Sequence, residues 1–159
     1  MALFLGIDPG IATTGYGLVQ KVGSRLTMVD YGVILTKAHT PLSERLLVLS
    51  THLQLIIETH RPDGVAVEEL FFNTNAKTAL MVGQARGAIL LTAQKAGCGI
   101  TGYTPLQVKM AVCGYGRAQK QQVQYMVAKL LCLASPPKPD DAADALAIAI
   151  CHGHSVFER

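Results

Sequence analysis

Three short β-rich runs in succession, and after them an alternation of helical and strand patterns, leave this chain very few folds to choose from. LFLGID (residues 3–8) is apolar and bounded by Pro9-Gly10, the pattern of a buried strand. TGYGLVQ and RLTMVDYGVILT follow, parted by Gly23-Ser24, and the three runs together predict an antiparallel meander. At Thr40 the period changes. Leu42, Leu46, Leu49, Leu53 and Ile56 fall at helical spacing, with Thr40 placed to cap, Pro41 at the first helical position and an end near His60. GVAVEEL predicts a fourth strand, 76–96 a helix stopped by Gly97, and CGITGY a fifth strand. Pro105 opens a short helix through Val112, and Val123, Met126, Val127 and Leu130 mark one face of another. Pro136, Pro137 and Pro139 form a stiff linker to a last helix, DDAADALAIAICH. This order predicts one α/β domain over residues 1–159, a five-stranded mixed sheet with helices on both faces.

Composition narrows the class. Half the residues are hydrophobic and only 16% are charged, which excludes a disordered chain. Cys98, Cys113, Cys132 and Cys151 form no CxxC or Cys/His pattern, so they are expected as buried free thiols of a reducing compartment. The opening apolar run lacks a basic flank and is interrupted by Asp8, and no segment approaches ~20 apolar residues. A soluble, cytoplasmic protein with no membrane contact is the expectation. The net charge of +3 says little, but its layout says more. Between Leu70 and Pro139 there is no acidic residue, and the same stretch holds Lys77, Arg86, Lys95, Lys109, Arg117, Lys120, Lys129 and Lys138. Asp140, Asp141 and Asp144 crowd together just beyond it. That layout suggests a positive surface that tracks a polyanion, beside a small nest of negative charge.

Several of the acids outside the block stand at element ends. Asp8 closes the first strand and Glu68 the fourth; if these strands run side by side and parallel, both carboxylates emerge at one edge, where ligands gather. On the last helix Asp141 and Asp144, at i and i+3, share a face, and Asp140 and Asp144, at i and i+4, share one equally well. Singly, each has a plainer reading: turn chemistry for Asp8, a solvated strand end for Glu68, a helix cap for Asp140 or Asp141. Jointly they predict a cation site, since converging carboxylates repel one another without one. Oxygen-only ligands suit Mg²⁺ or Mn²⁺, and two such ions about 3.5–4 Å apart serve phosphodiester hydrolysis. Asp8 is then both a turn residue and a ligand. No phosphate-binding loop or dinucleotide fingerprint occurs. An actin-like ATPase would need a second phosphate loop and usually a second domain.

GIDPG near the start, AVEELFF around Glu68, VGQARG at 82–87, QVK at 107–109, KQQVQYMV from Lys120 and DAADALAIAICH from Asp141 together resemble the RuvC family, the Holliday junction resolvases of bacterial recombination. The motifs run in order over nearly the whole chain. The resemblance implies an RNase H-like fold, a homodimer, and Mg²⁺-dependent symmetric nicking of four-way DNA junctions, with a branch-migration helicase complex as partner. It assigns the acidic tetrad to Asp8, Glu68, Asp141 and Asp144, leaving Asp140 as an extra acid, expected to cap the last helix. It places Lys109 and Lys120 near the scissile phosphate, Lys120 with a catalytic role, and tips Phe71 towards stacking on DNA, with Phe72 left in or near the core. Arg117 is a further candidate for phosphate, while Asn73 and Asn75 suit either base edges or loop capping, the latter preferred. The helix over 76–96, with small residues at Ala79, Gly83, Gly87 and Ala88, is the candidate dimer interface. A junction-binding protein without catalysis is the remaining rival, and the full set of carboxylates argues against it.

Overall fold

The computed structural model describes residues 1–70 and 75–156. One sheet carries the fold, in the order β3-β2-β1-β4-β5. The strands β1 (Ala2–Asp8), β2 (Thr13–Val22) and β3 (Arg25–Leu35) form the expected antiparallel meander. On the other side of β1, β4 (Gly64–Glu68) pairs with it in parallel, and β5 (Ile100–Tyr103) pairs in parallel with β4. Parallel neighbours need crossovers, and helices α1 (Leu42–His60) and α2 (Ala76–Lys95) supply them. Then α3 (Pro105–Cys113), α4 (Lys120–Leu130) and α5 (Asp140–Ser155) complete the chain.

Both faces of the sheet are covered, so its central strands read as unbroken apolar runs rather than alternating ones. In β4, Val65 and Val67 face one core with Leu49, Leu53 and Ile57 of α1 and Ile89 of α2. Ala66, pointing the other way, joins Leu146 and Ile150 of α5, Val108 of α3 and Val127 of α4. Helix α5 is apolar almost all round, with every residue from Ala145 to Gly153 buried, because it lies between the sheet and the α3/α4 pair.

What lets α5 sit so close is a smooth patch of sheet. A Cβ on Gly15 would collide with the Asp141 carbonyl oxygen, and one on Gly6 with the Ala145 carbonyl oxygen. On Gly17 it would come within 2.8 Å of Leu146 atoms. Alanines at 142, 145 and 149 continue the fit from the helix side. Backbone rests nearly on backbone.

Three local expectations need correction. Pro41 stands at the N-cap of α1 rather than inside it, and Thr40 caps nothing; its hydroxyl donates to the Lys37 carbonyl at 2.7 Å. The cysteines are free, but only Cys151 is buried, and Cys132 is exposed in the turn after α4. Asp8 does not bond the backbone that follows it. The turn after β1 is closed by Thr14, whose hydroxyl donates to the Gly10 carbonyl at 2.6 Å, leaving the Asp8 carboxyl to face other acids. Among the described residues, no helix is long and apolar enough to cross a membrane.

Candidate active site

Register places the first two carboxylates. Ile7 of β1 pairs with Val67 of β4, so the next residues, Asp8 and Glu68, leave the sheet side by side at its C-terminal edge. Asp8 also pairs with Gly15 across β2, and Gly15 is where the Asp141 backbone touches down. The glycine contact therefore delivers the first turn of α5 onto Asp8. One carboxylate oxygen from each of Asp8, Asp141 and Asp144 lies within 4.8 Å of the others. Glu68 and Asp144 share a cleft of about 260 Å³ with Lys109 of α3 and Lys120 of α4. A larger cavity, about 640 Å³, lies between the C-terminal ends of α1 and α2 and includes none of these residues.

The electrostatics follow from this crowding. Burial pushes the Asp8 carboxyl up, and Glu68, Asp144 and Asp141 push it further, to about 8. Glu68 is raised by burial and by Asp144, and it is partly relieved by accepting the proton of Asp8 and by the Lys109 ammonium. Burial also raises Asp144, against the pull of Lys120. Such a group of acids holds protons it would not hold in water, or else holds a cation. An all-oxygen, partly buried set fits a hard divalent ion, and nothing in it suits a softer metal.

The cations are positioned from behind. Lys109 rides on α3, whose start is held by a reciprocal cap: the Thr104 hydroxyl accepts from Gln107 N–H at 3.1 Å, and the Gln107 side chain accepts from Thr104 N–H at 2.9 Å. Lys120 is the first residue of α4, its Nζ 3.4 Å from Asp140 and 3.8 Å from Asp144. Arg117 stands exposed in the loop between α3 and α4. Asn75 caps α2, its side chain accepting from Lys77 N–H at 3.0 Å. Phe71, Phe72 and Asn73 lie outside the described residues.

The ambiguity between neighbouring aspartates is resolved in space: Asp141 joins Asp8 and Asp144, and Asp140 turns away to lysines. The expected cap is not made, because Pro139 is the N-cap and the Asp140 side chain makes no capping bond. In the sequence Arg86 reads only as one positive charge of the basic block. Its Nε donates to the Glu68 carbonyl at 3.1 Å, tying α2 to the strand end that bears a carboxylate. Its position within VGQARG was the available signal. Gly83 is half-exposed, and a Cβ there would stand 3.4 Å from Leu70, whereas Gly87 is exposed with open space before it.

A family model for crossover junction endodeoxyribonuclease RuvC matches residues 4–152. The chain belongs to the RuvC family. A curated RuvC from Desulfitobacterium hafniense is 61% identical over 154 residues, covering 97% of this chain and 93% of its own. The structure of Thermus thermophilus RuvC with a Holliday junction substrate superposes with a TM-score of 0.91 at 38% identity, over 96% of this chain and 93% of that one. The yeast mitochondrial Holliday junction resolvase shares the fold, with a TM-score of 0.68 at 16% identity over 94% of this chain and 78% of its own. This RuvC-family fold is RNase H-like, a five-stranded mixed sheet with helices on both faces.

Proposed function

We propose that this RuvC-family chain resolves four-way DNA junctions in the cytoplasm, hydrolysing one phosphodiester in each of two like strands, through a single nuclease domain that acts as a homodimer. The observation that carries the reading is the convergence of Asp8, Asp141 and Asp144 beside a cleft rimmed by Lys109 and Lys120. Asp8, Glu68, Asp141 and Asp144 would hold Mg²⁺, with Mn²⁺ able to substitute, as two ions per site. When bound, the ions supply the charge that makes a water nucleophilic and stabilises the leaving oxygen.

The chain's own groups do the rest. The carboxylates lose their protons and take up the orientation that the ions need. Lys120 presents an ammonium to the charge that grows on the phosphate during displacement. Lys109 binds the phosphate beside Glu68, and Arg117 grips the backbone further along the acid-free surface. Phe71, three residues after Glu68 in the sequence, is kept as the stacking contact on the strength of the family resemblance. Exposed Leu80, Gln84, Gly87 and Leu91 fall on one stripe of α2, the face through which a second copy would pair. Two-fold symmetry then supplies two sites for two like strands. A branch-migration helicase complex delivers the junction.

The deciding experiment offers a synthetic four-way junction and a linear duplex of the same sequence, with Mg²⁺ or with EDTA. Paired, Mg²⁺-dependent nicks in the junction alone are expected. Equal cutting of the duplex, or none of the junction, would overturn the reading. Sedimentation of Leu91→Asp tests the dimer: the variant should run as a monomer, and an unchanged dimer would remove α2 from the interface.

A further inference from the structure

Asp140 is an acid without a task in the site just described. It starts α5 one residue before Asp141, and the helix turns it about 100° away from the cluster. It makes no cap, so its carboxylate is not engaged with the backbone. Instead one oxygen, Oδ2, lies 3.4 Å from Lys120 Nζ, and the other, Oδ1, lies 3.4 Å from Lys138 Nζ. Lys120 Nζ is in turn 3.8 Å from Asp144 Oδ2. Four charges of alternating sign thus run from Lys138 through Asp140 and Lys120 to Asp144.

From this geometry we propose that Asp140 is a positioning residue, holding the Lys120 ammonium at the mouth of the acidic cleft. The inference rests on the role given to Lys120 above. A lysine at the first position of a helix, with its side chain about half exposed, sweeps a wide volume unless something anchors its end. Asp144 alone is a poor anchor, because its oxygens belong to the cation cluster and a divalent ion there competes with the ammonium for them. Asp140 stands outside the cluster and is the nearer partner. It keeps its hold whatever the cluster binds. Lys138 holds the second oxygen of the same carboxylate and so fixes its orientation. An isolated surface ion pair contributes little to stability, so the effect is expected in the rate and not in the fold.

The test is a cycle of four proteins, wild type, Asp140→Asn, Lys120→Ala and the double variant, in single-turnover cleavage of a four-way junction with Mg²⁺. Junction affinity is measured in parallel with Ca²⁺. Asp140→Asn should slow cleavage by about 3- to 10-fold, the scale of a misplaced but present group, with affinity changed less than about twofold and the melting temperature unmoved. Asp140→Glu should restore most of the rate. In the Lys120→Ala background, Asp140→Asn should do nothing more, because the group it positions is gone. An Asp140→Asn that cuts at the wild-type rate or faster would overturn the proposal, and so would an equal slowing with and without Lys120. A wild-type protein that leaves the junction intact would instead overturn the function proposed above.

Discussion

Replacing Asp8 by Asn separates what the acidic site costs the fold from what it does for the reaction. Without a divalent ion the folded protein keeps a proton on Asp8 up to about pH 8, while the unfolded chain releases it near 3.8. The raised folded pKa means that this proton's contribution to stability is complete below 3.8 and is lost as pH rises through about 8. Were Asp8 alone, the full difference would be about 6 kcal/mol at about 1.4 kcal/mol per pKa unit. Because it titrates together with Glu68 and Asp144, a net of about 2–4 kcal/mol is expected. Asn keeps the shape and has no charge to lose. In EDTA, Asp8→Asn and wild type should therefore come closest in stability at about pH 3.5, below the unfolded value, and diverge as pH rises. The variant should be more stable by about 2–4 kcal/mol at pH 8.5, roughly 5–15 °C in melting temperature for a chain of this size. Mg²⁺ should narrow the gap by stabilising wild type alone, while junction cleavage by the variant is lost. Urea unfolding followed by circular dichroism, with and without Mg²⁺, measures all of this. A variant no more stable than wild type at pH 8.5 in EDTA would refute the reasoning, since it would mean that the cluster carries no electrostatic strain.

Asp141→Asn should lower Mg²⁺-dependent cleavage by at least about 100-fold, with junction affinity in Ca²⁺ kept or tightened as repulsion of phosphate falls; cleavage at the wild-type rate would remove Asp141 from the site. Gly17→Ala should destabilise the fold by about 1–3 kcal/mol by overpacking Leu146, read by chemical denaturation, and a neutral effect would mean that α5 yields easily. His152 is buried, its Nδ1 2.8 Å from the Tyr103 hydroxyl, and burial lowers its pKa from 6.5. The unfolded chain then binds a proton below pH 6.5 that the folded one refuses, so stability falls as pH drops through that value. In His152→Asn this component of the pH profile should be missing, and an unchanged profile would show that it does not come from His152.

Asp8 and Glu68 were legible because a strand edge is a simple geometric object: an apolar run that ends in an acid puts that acid at the edge, and two parallel neighbours put two there. The helix was harder. A spacing of three or four residues places Asp141 and Asp140 equally well with Asp144, and only the family register or the contact between Gly15 and Asp141 separates them. That contact depends on which strand runs beneath the helix, a property of the assembled sheet that no local pattern carries. The cap assigned to Asp140 failed for a related reason. Propensity near a helix start favours an acid there, but a lysine from α4 and another from the Pro linker compete for the same carboxylate and win it. Arg86 was hidden because its partner is a backbone carbonyl, and a carbonyl leaves no mark in a sequence.

The glycine patch under α5 has a consequence for how mutations in this protein should be sorted. Where α5 crosses Gly6, Gly15 and Gly17 it has no side chains beneath it to absorb a disturbance, so this part of the helix responds as a rigid lever. A methyl group added at Gly6, two residues back along β1 from Asp8, pushes at Ala145 and Ala149 and must tilt or lift the same helix that bears Asp141 and Asp144. The cluster tolerates little of this, because its ligand oxygens have to stay within a few ångströms of one another. In a deep mutational scan, substitutions at Gly6, Gly15 and Gly17 should therefore group with loss of catalysis as much as with loss of folding. Measured by what must not move, the reactive centre reaches back through the helix into the middle of the sheet.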